Sequence, residues 1–456
     1  MSAPEAAALG EVLDALAGRG LPAAEVYAKR GRSRVVEEGP AGASVSYLRE
    51  EGWAARAGDD RRSLFAAGTG RPDPAGPGGS WPEADGGALA LPDPRALGLV
   101  AEPWREPPEI DAPLIGEREA LGLLATLGEE LRAELPAARL LGIRLADGAS
   151  EWRLASRPGT SGGIEAAGRG RAAFLRVEAA LAERREVAAA VELAAGSARA
   201  FDPRSVARRL ADRLAVAARG TAPDRDRGEL VVAPAAGARL LAALAPLFVG
   251  GRGAELARRL EDRHGRLAGP AVTVIDDARL PGGALAAPAD GEGLPTAAVV
   301  LVEAGAYRRP LVPWREAAEA RRGRGRTALR PAACARRPGW RDLPRPGPSH
   351  LYLAPDPETA PGDLLAGVAR GYYLLDADGP AAVDLAEGRL ALPVVGFAVE
   401  RGSATAPLAG AVLEGGIGGF LRSIDAVARD LAFFPLAGAM IGSPTLRLTG
   451  MEIRRR

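Results

Sequence analysis

A chain of 456 residues is too long for one ordinary core and fits two or three domains, each large enough to bury its apolar surface without covalent staples. Its 59 basic and 58 acidic residues nearly cancel, which removes the electrostatic case for a general nucleic-acid or anionic-membrane binder. The single cysteine, Cys334, excludes an internal disulfide framework and a cysteine-rich zinc module, and it suits the reducing cytoplasm where we expect the protein to reside.

Along the chain, residues 5–18 place Ala6, Leu9, Val12, Leu13 and Leu16 at helical spacing, with neither the basic nor the apolar region of a signal peptide. The next segments, AEVYAKRG and GASVSYLREEGWAARAG, alternate like half-buried strands. Residues 66–95 are dominated by Gly, Pro and Asp and predict a long irregular loop, so a small N-terminal α/β unit over 1–105 is expected to end there. A middle region over 106–227 follows. It holds a helix at about 115–134, strand-like segments from LLGIRLADGASEWRLASRP to VELAAGSARAF whose alanines leave helix open as a competitor, and the helix DPRSVARRLADRLAVAARG with Asp202 as cap.

From 228 to 456 the pattern changes to ELVVAP as a strand, helices closed by Gly250 and Gly265, and many short strand candidates separated by turns. An α+β fold with a mostly antiparallel β C-terminal domain and a few helices is the economical reading. Within it, residues 317–349 form an Arg/Pro-rich insertion expected to lack regular structure. The apolar run LAFFPLAGAMIG is too short to span a bilayer and contains Pro435, so no membrane partner is expected.

Several motifs invite a sharper reading than they support. GTSGG at 159–163 matches the nucleophile-elbow pattern around Ser161, but the following stretch is strand-like and only His264 and His350 exist as bases. LLDADGPAAVD at 374–384 begins like a calcium loop, yet its glycine and closing acid are misplaced, and a solvated turn is the simpler reading. EGGIGGF at 414–420 lacks the full dinucleotide fingerprint and reads as a tight turn before the helix LRSIDAVARDLAF. RRGRGR at 321–326 has no interleaved aromatics and reads as a solvated loop. Zinc needs three or four converging ligands, and the chain has no HExxH or CxxC. His264, just before Gly265, suits the negative end of a helix.

The densest turn chemistry lies in VIDDARLPGGALAAPADGEGLPT at 274–296, where acids, prolines and glycines interrupt two strands. Such backbone holds a ligand or a partner's chain, and spacing alone does not choose. The string DDARLPGGALAAPADGEGLPT resembles the signature of the TldD/PmbA family, in which a DD-x-x-x-PG turn precedes an acidic DEG-x-PT element. AEVYAKRGRSRVVEEG, PSHLYLAP and IGSPTLRLTGMEI resemble other family segments in the same order. Departures are Gly291 in place of the second Asp of DDEG and His350 in place of an Asn.

The resemblance implies one of two subunit types. TldD-type chains are zinc metalloproteases with HExxxH on the first helix of the C-terminal domain and a later cysteine ligand, whereas TldE/PmbA-type chains lack these. Here the expected positions hold Ala242, Ala243 and Leu247, and AGAMIGSPT offers no cysteine. Hydrolysis through zinc requires ligands and a carboxylate to handle the proton. The resemblance therefore implies a non-catalytic subunit with no metal or other cofactor and no catalytic residue of its own, paired with a zinc-bearing TldD-like homologue or with itself, and acting on unfolded peptides or peptide precursors. Asp276, Asp277, Pro281, Gly282, Gly283, Asp290, Glu292, Gly293 and Pro295 would shape the substrate channel or the interface. The alternatives are a stand-alone metallopeptidase built around His264, His350, Asp276, Asp277 and Glu292, and a regulatory protein-binding module acting through 317–349.

Overall fold

A computed structural model describes residues 6–40, 42–59, 61–83, 89–93, 115–159, 163–183, 186–322 and 329–456. Its first layer is an antiparallel sheet of six strands: β1 (Ala23–Gly39), β2 (Gly42–Gly58), β3 (Ser63–Thr69), β4 (Ala138–Pro158), β5 (Ile164–Glu183) and β6 (Glu186–Gly196). They lie in the order β3-β2-β1-β4-β5-β6. β1 pairs with β4 from Ala23 opposite Pro158 to Glu38 opposite Ile143, so one sheet crosses the edge expected near 105. The long apolar alternation of these strands wins over their alanine content, because buried residues such as Val26, Ile143, Leu145 and Val177 pack with covering helices.

Among the described residues three helices cover this sheet. Leu9, Val12, Leu13 and Leu16 of α1 (Ala6–Gly18) pack with Val26, Trp53 and Leu64. Leu124, Leu127 and Leu131 of α2 (Glu117–Glu134) join Val206, Leu210 and Leu214 of α3 (Pro203–Arg219) over Ile143, Leu145 and Val177. Asp202 caps α3 by accepting from the Arg204 and Ser205 backbone N–H groups, with Pro203 in the first turn. β3 reaches Thr69, so the irregular segment begins after 69 rather than at 66.

The remaining helices are α4 (Pro234–Leu244), α5 (Gly250–His264), α6 (Trp314–Arg322), α7 (Pro361–Ala366) and α8 (Ile417–Ser423). Among the described residues the second half contains a two-stranded sheet and two larger ones. One follows the order β10-β9-β8-β13-β20-β19, with β8 (Val274–Asp277), β9 (Ala298–Glu303), β10 (Ala306–Tyr307), β13 (His350–Leu353), β19 (Ala432–Leu436) and β20 (Ala439–Ser443). The other runs β18-β21-β7-β14-β16-β17-β22, from β7 (Glu229–Val232), β14 (Arg370–Ala377), β16 (Arg389–Glu400), β17 (Ser403–Gly416), β18 (Ile424–Val427), β21 (Leu446–Leu448) and β22 (Glu452–Arg455), with β15 (Ala382–Asp384) on β16. Among the described strand pairs only β13–β20 and β7–β14 are parallel. Leu240, Leu241 and Leu244 of α4 share the main core with Leu351, Ile441, Leu374 and Leu446 from both sheets. The close approach is made possible by Gly237, where a Cβ would collide with Ser443.

Three expectations change here. The described part of 317–349 is folded: α6 runs to Arg322, and β11 (Ala335–Arg336) and β12 (Arg345–Pro346) form a short ladder. Burial of Cys334 and Trp340 outweighs the Arg/Pro composition. EGGIGGF is not a turn before a long helix, because β17 continues to Gly416, α8 occupies 417–423, and Ile424–Val427 leaves as a strand. The start of the apparent calcium loop is not solvated either: Asp376 lies buried in β14 and pairs with Arg239 at 2.6 Å and Arg213 at 2.9 Å. Ser161 and most of RRGRGR fall outside the described residues. No described helix is long and apolar enough to cross a membrane.

Candidate functional site

The excursion between β8 and β9 lies on the seam between the two halves. Asp276 is buried at the end of β8, and its Oδ1 accepts from the Ser349 N–H at 2.7 Å. Burial pushes its carboxyl up to about 6. Asp277 closes a small turn by accepting from the Arg279 N–H, while its carbonyl accepts from His350 Nδ1 at 2.8 Å. His350 Nε2 accepts from the Leu285 N–H at 3.3 Å, so both ring nitrogens are engaged and the neutral tautomer carries its proton on Nδ1. Burial lowers this imidazole to about 4. Gly282 has φ 70°, and at Gly283 a Cβ would collide with His350 Nε2. Pro281 is exposed at the corner of this turn.

Further along, Asp290 organises the return. Its Oδ1 accepts from the Glu292 and Leu294 N–H groups at 2.9 Å, and its Oδ2 accepts from Ala335 at 3.1 Å. Glu292 accepts from the Trp314 N–H at 2.7 Å, at the start of α6. Burial raises both carboxyls; for Asp290 the adjacent Glu292 charge adds to it and the value reaches about 8, outweighing three N–H donors that favour the ionised form. Burial beside Glu292 therefore keeps the Asp290 carboxyl protonated at neutral pH. Gly293, at φ 83°, lets the loop meet the first sheet, where a Cβ would stand 2.8 Å from Leu154 Cδ2 and 2.9 Å from Ile164 Cγ2. Pro295 is half-buried and bridges back to Ala289.

The segment after β11 ties this loop to the sheet. Arg337 donates from Nε to the Gly291 carbonyl at 2.6 Å, pairs through Nη2 with Glu25, and lies 4.8 Å over the Tyr27 ring. Glu25 also binds Arg56 bidentately at 2.9 Å. Burial alone would raise the Glu25 carboxyl, but Arg337 and Arg56 outweigh it and hold the group below its ordinary value. Trp340 fills a small apolar cluster with Tyr27, Leu154 and Ile164. Between β1, β4 and β5 on one side and residues 284–291 and 333–338 on the other lies a cleft of about 650 Å³, within the size range of small-ligand sites.

The loop residues predicted from sequence fall into two groups: Asp276, Asp277 and Gly283 lie against Ser349 and His350, while Asp290 and Glu292 lie against Ala335 and Trp314, and of the nine Asp290 lines the cleft. Asp276, Asp290 and Glu292 are buried structural acids, and His350 is a hub for backbone groups. His264 ends α5 on the surface, whereas His350 is buried at the start of β13. Among the described residues no group of three His, Cys, Asp or Glu side chains is placed to hold a metal. Ala242 and Ala243 lie near the end of α4 against the main core, and Leu247 is fully buried in the 3-10 turn 245–248 that follows. Sequence reasoning missed Glu25, Arg56, Arg337 and Trp340. No local spacing signals them, because their partners come from up to 312 positions away.

Residues 225–455 match the family model described as the PmbA/TldA metallopeptidase C-terminal domain. By structure, the chain is similar to TldE from Thermococcus kodakarensis, with a TM-score of 0.80, 17% identity, and coverage of 98% of this chain and 100% of that one. It is similar also to a proposed modulator of a DNA gyrase from Thermotoga maritima MSB8 (TM-score 0.76, 14% identity, 98% and 99% covered). A third likeness is to a proposed modulator of DNA gyrase from Bacteroides thetaiotaomicron VPI-5482 (0.75, 15%, 99% and 98%). At these identities the likeness establishes the α+β fold. The curated proteins contain no match.

Proposed function

Because this chain belongs to the PmbA/TldD metallopeptidase family, we propose that it is the non-catalytic, TldE-type subunit of a two-chain peptidase, paired in the cytoplasm with a zinc-bearing homologue. The observation that carries this reading is the identity of three residues. Ala242, Ala243 and Leu247 offer no lone pair to a metal and no group to move a proton. The residues at the family's zinc position do not fit zinc, and no step on this chain runs through it.

What the chain contributes instead is surface and shape. The cleft at the seam is flanked by the extended backbone of β1 and β5 and lined by both apolar and charged side chains. That mixture suits an unfolded peptide better than a rigid small molecule. The loop from Asp276 to Pro295 forms one wall, held by hydrogen bonds that keep its backbone in place without using the solvent-facing side chains.

Affinity capture of the tagged chain from its native cytosol, with co-purifying chains identified by mass spectrometry, tests the pairing. Recovery of a homologue carrying HExxxH supports it. Recovery of this chain alone, from cells that express such a homologue, overturns it and leaves self-association as the assembly.

A further inference from the structure

Two guanidinium groups that line the seam cleft are incompletely satisfied. Arg171 Nη1 on β5 and Arg336 Nη2 on β11 are each shielded from solvent and have no hydrogen-bond partner among the described residues. A buried N–H without an acceptor is costly enough that native proteins nearly always supply one. Burial depresses both guanidinium groups below the usual arginine range, and an anion at the same place would relieve it.

The charges around them point the same way. Among the described residues, Lys29, Arg169, Arg171, Arg336 and Arg337 line the cleft with two carboxyls, Asp147 and Asp290, and Asp276, whose Oδ1 already accepts from the Ser349 N–H, also acts on Arg336. Asp147 is taken up by Arg34 at 3.0 and 2.7 Å, and the Asp290 oxygens accept from three backbone N–H groups. Lys29 is held by Glu50 and the Pro338 carbonyl, Arg169 by Glu151 at 3.7 Å, and Arg337 by Glu25. That leaves Arg171 and Arg336 with donors to offer a ligand, and a planar guanidinium matches a carboxylate better than a neutral amide.

We propose that the cleft contains a carboxylate subsite, formed by Arg171 and Arg336, that selects peptides bearing a negative charge. This inference rests on the peptide reading of the cleft and adds the class of peptide to it. The carboxylate comes either from the peptide's C-terminus or from an acidic side chain, and the two sources are separable.

The test is fluorescence anisotropy on the purified full-length chain with three dye-labelled forms of the peptide Phe-Ala-Leu-Ala-Ala: the free acid, the C-terminal amide, and the amide with its central Leu replaced by Glu. At least one charged form should bind tenfold or more tightly than the neutral amide, and which one does so names the source. Arg171→Gln and Arg336→Gln should each remove that preference, so that the charged and neutral forms bind alike. Arg171 is only half-buried, so its variant keeps the test readable if Arg336→Gln unfolds, with the thermal midpoint as the check. Equal binding of the three forms, no binding of any, or a preference that survives in a folded Arg171→Gln variant overturns the proposal. Failure here leaves the captured homologue unaffected, so it is distinct from failure of the subunit reading.

Discussion

Gly283 illustrates how one position carries a constraint that spacing only half reveals. The PGG sequence announces a turn, but the reason for the second glycine is His350, whose Nε2 occupies the space a Cβ would need. Gly283→Ala should destabilise the fold by about 1–3 kcal/mol, the range for overpacking a rigid site. A chemical-denaturation midpoint measures this, and an unchanged midpoint would mean the loop relaxes away from the ring. Asp290 and Glu292 were legible as an acidic cluster, yet their burial was not. Asp290 has a folded value of about 8 against an ordinary 3.8, so its contribution to stability is full below about 4 and is lost as pH rises through 8. Burial gives Asp276 the same sign up to about 6, while the depressed His350 acts oppositely, gaining stability as pH rises from about 4 to 6.5. Between pH 6.5 and 8 the Asp290 term stands clear of both. Stability should fall across that interval by no more than about 1.4 kcal/mol per pH unit, and Asp290→Asn should flatten the slope. A wild-type curve that rises there contradicts the protonated Asp290.

At the scale of elements, the clearest difference between sequence and structure is the segment around β11 and β12. Its Arg, Pro and Gly content reads as solvated loop, because composition reports the average tendency of a segment and not the few residues that anchor it. Trp340 is such an anchor: it is 7% exposed, and it covers Gly52 so closely that no Cβ fits there. Trp340→Ala should cost about 3–5 kcal/mol and lower the thermal midpoint, whereas a surface tryptophan would change it little. The alanines of the long strands in the first sheet leave helix open in the sequence, and the structure decides for strands, since alternation over ten or more residues is a stronger signal than propensity. The EGGIGGF segment was misjudged in its consequence: Ile417, Phe420 and Leu421 are buried by neighbouring elements, which stops the helix at Ser423 and hands Ile424 to β21.

Across the whole molecule, the two halves are joined by buried charge as well as by apolar packing. Glu25 sits between Arg56 and Arg337, all three side chains nearly inaccessible. Removing one member of such a group leaves the others desolvated and unpaired, so Glu25→Ala should destabilise by about 3–5 kcal/mol. With this contact and the Arg213–Asp376 pair intact, the halves should unfold together, and thermal curves followed by tryptophan fluorescence and by far-ultraviolet circular dichroism should coincide. Two separated transitions would show that the seam is weak. If the pairing with a zinc-bearing homologue holds, chelation should abolish peptide cleavage by the pair while leaving the melting point of this chain alone unchanged. A chelator-induced drop in that melting point would place a structural metal on this chain and contradict the present reading.

By itself the sequence determined the α+β class, the capped helix at 203–219, the short-strand character of the second half, the resemblance to the TldD/PmbA family, and the apolar residues at 242, 243 and 247. These are local properties: periodicity, caps, turn residues and motif strings act over a few positions, and a chain displays them before it folds. Only the tertiary structure decided that one sheet spans residues 23–196, that the acids of the 276–296 loop are buried, that Arg337 and Trp340 lock the loop to the first sheet, and that Arg171 and Arg336 share a cleft. Burial and charge pairing depend on neighbours hundreds of positions apart, and the free energy that sets each ionisation comes from that neighbourhood rather than from the residue type.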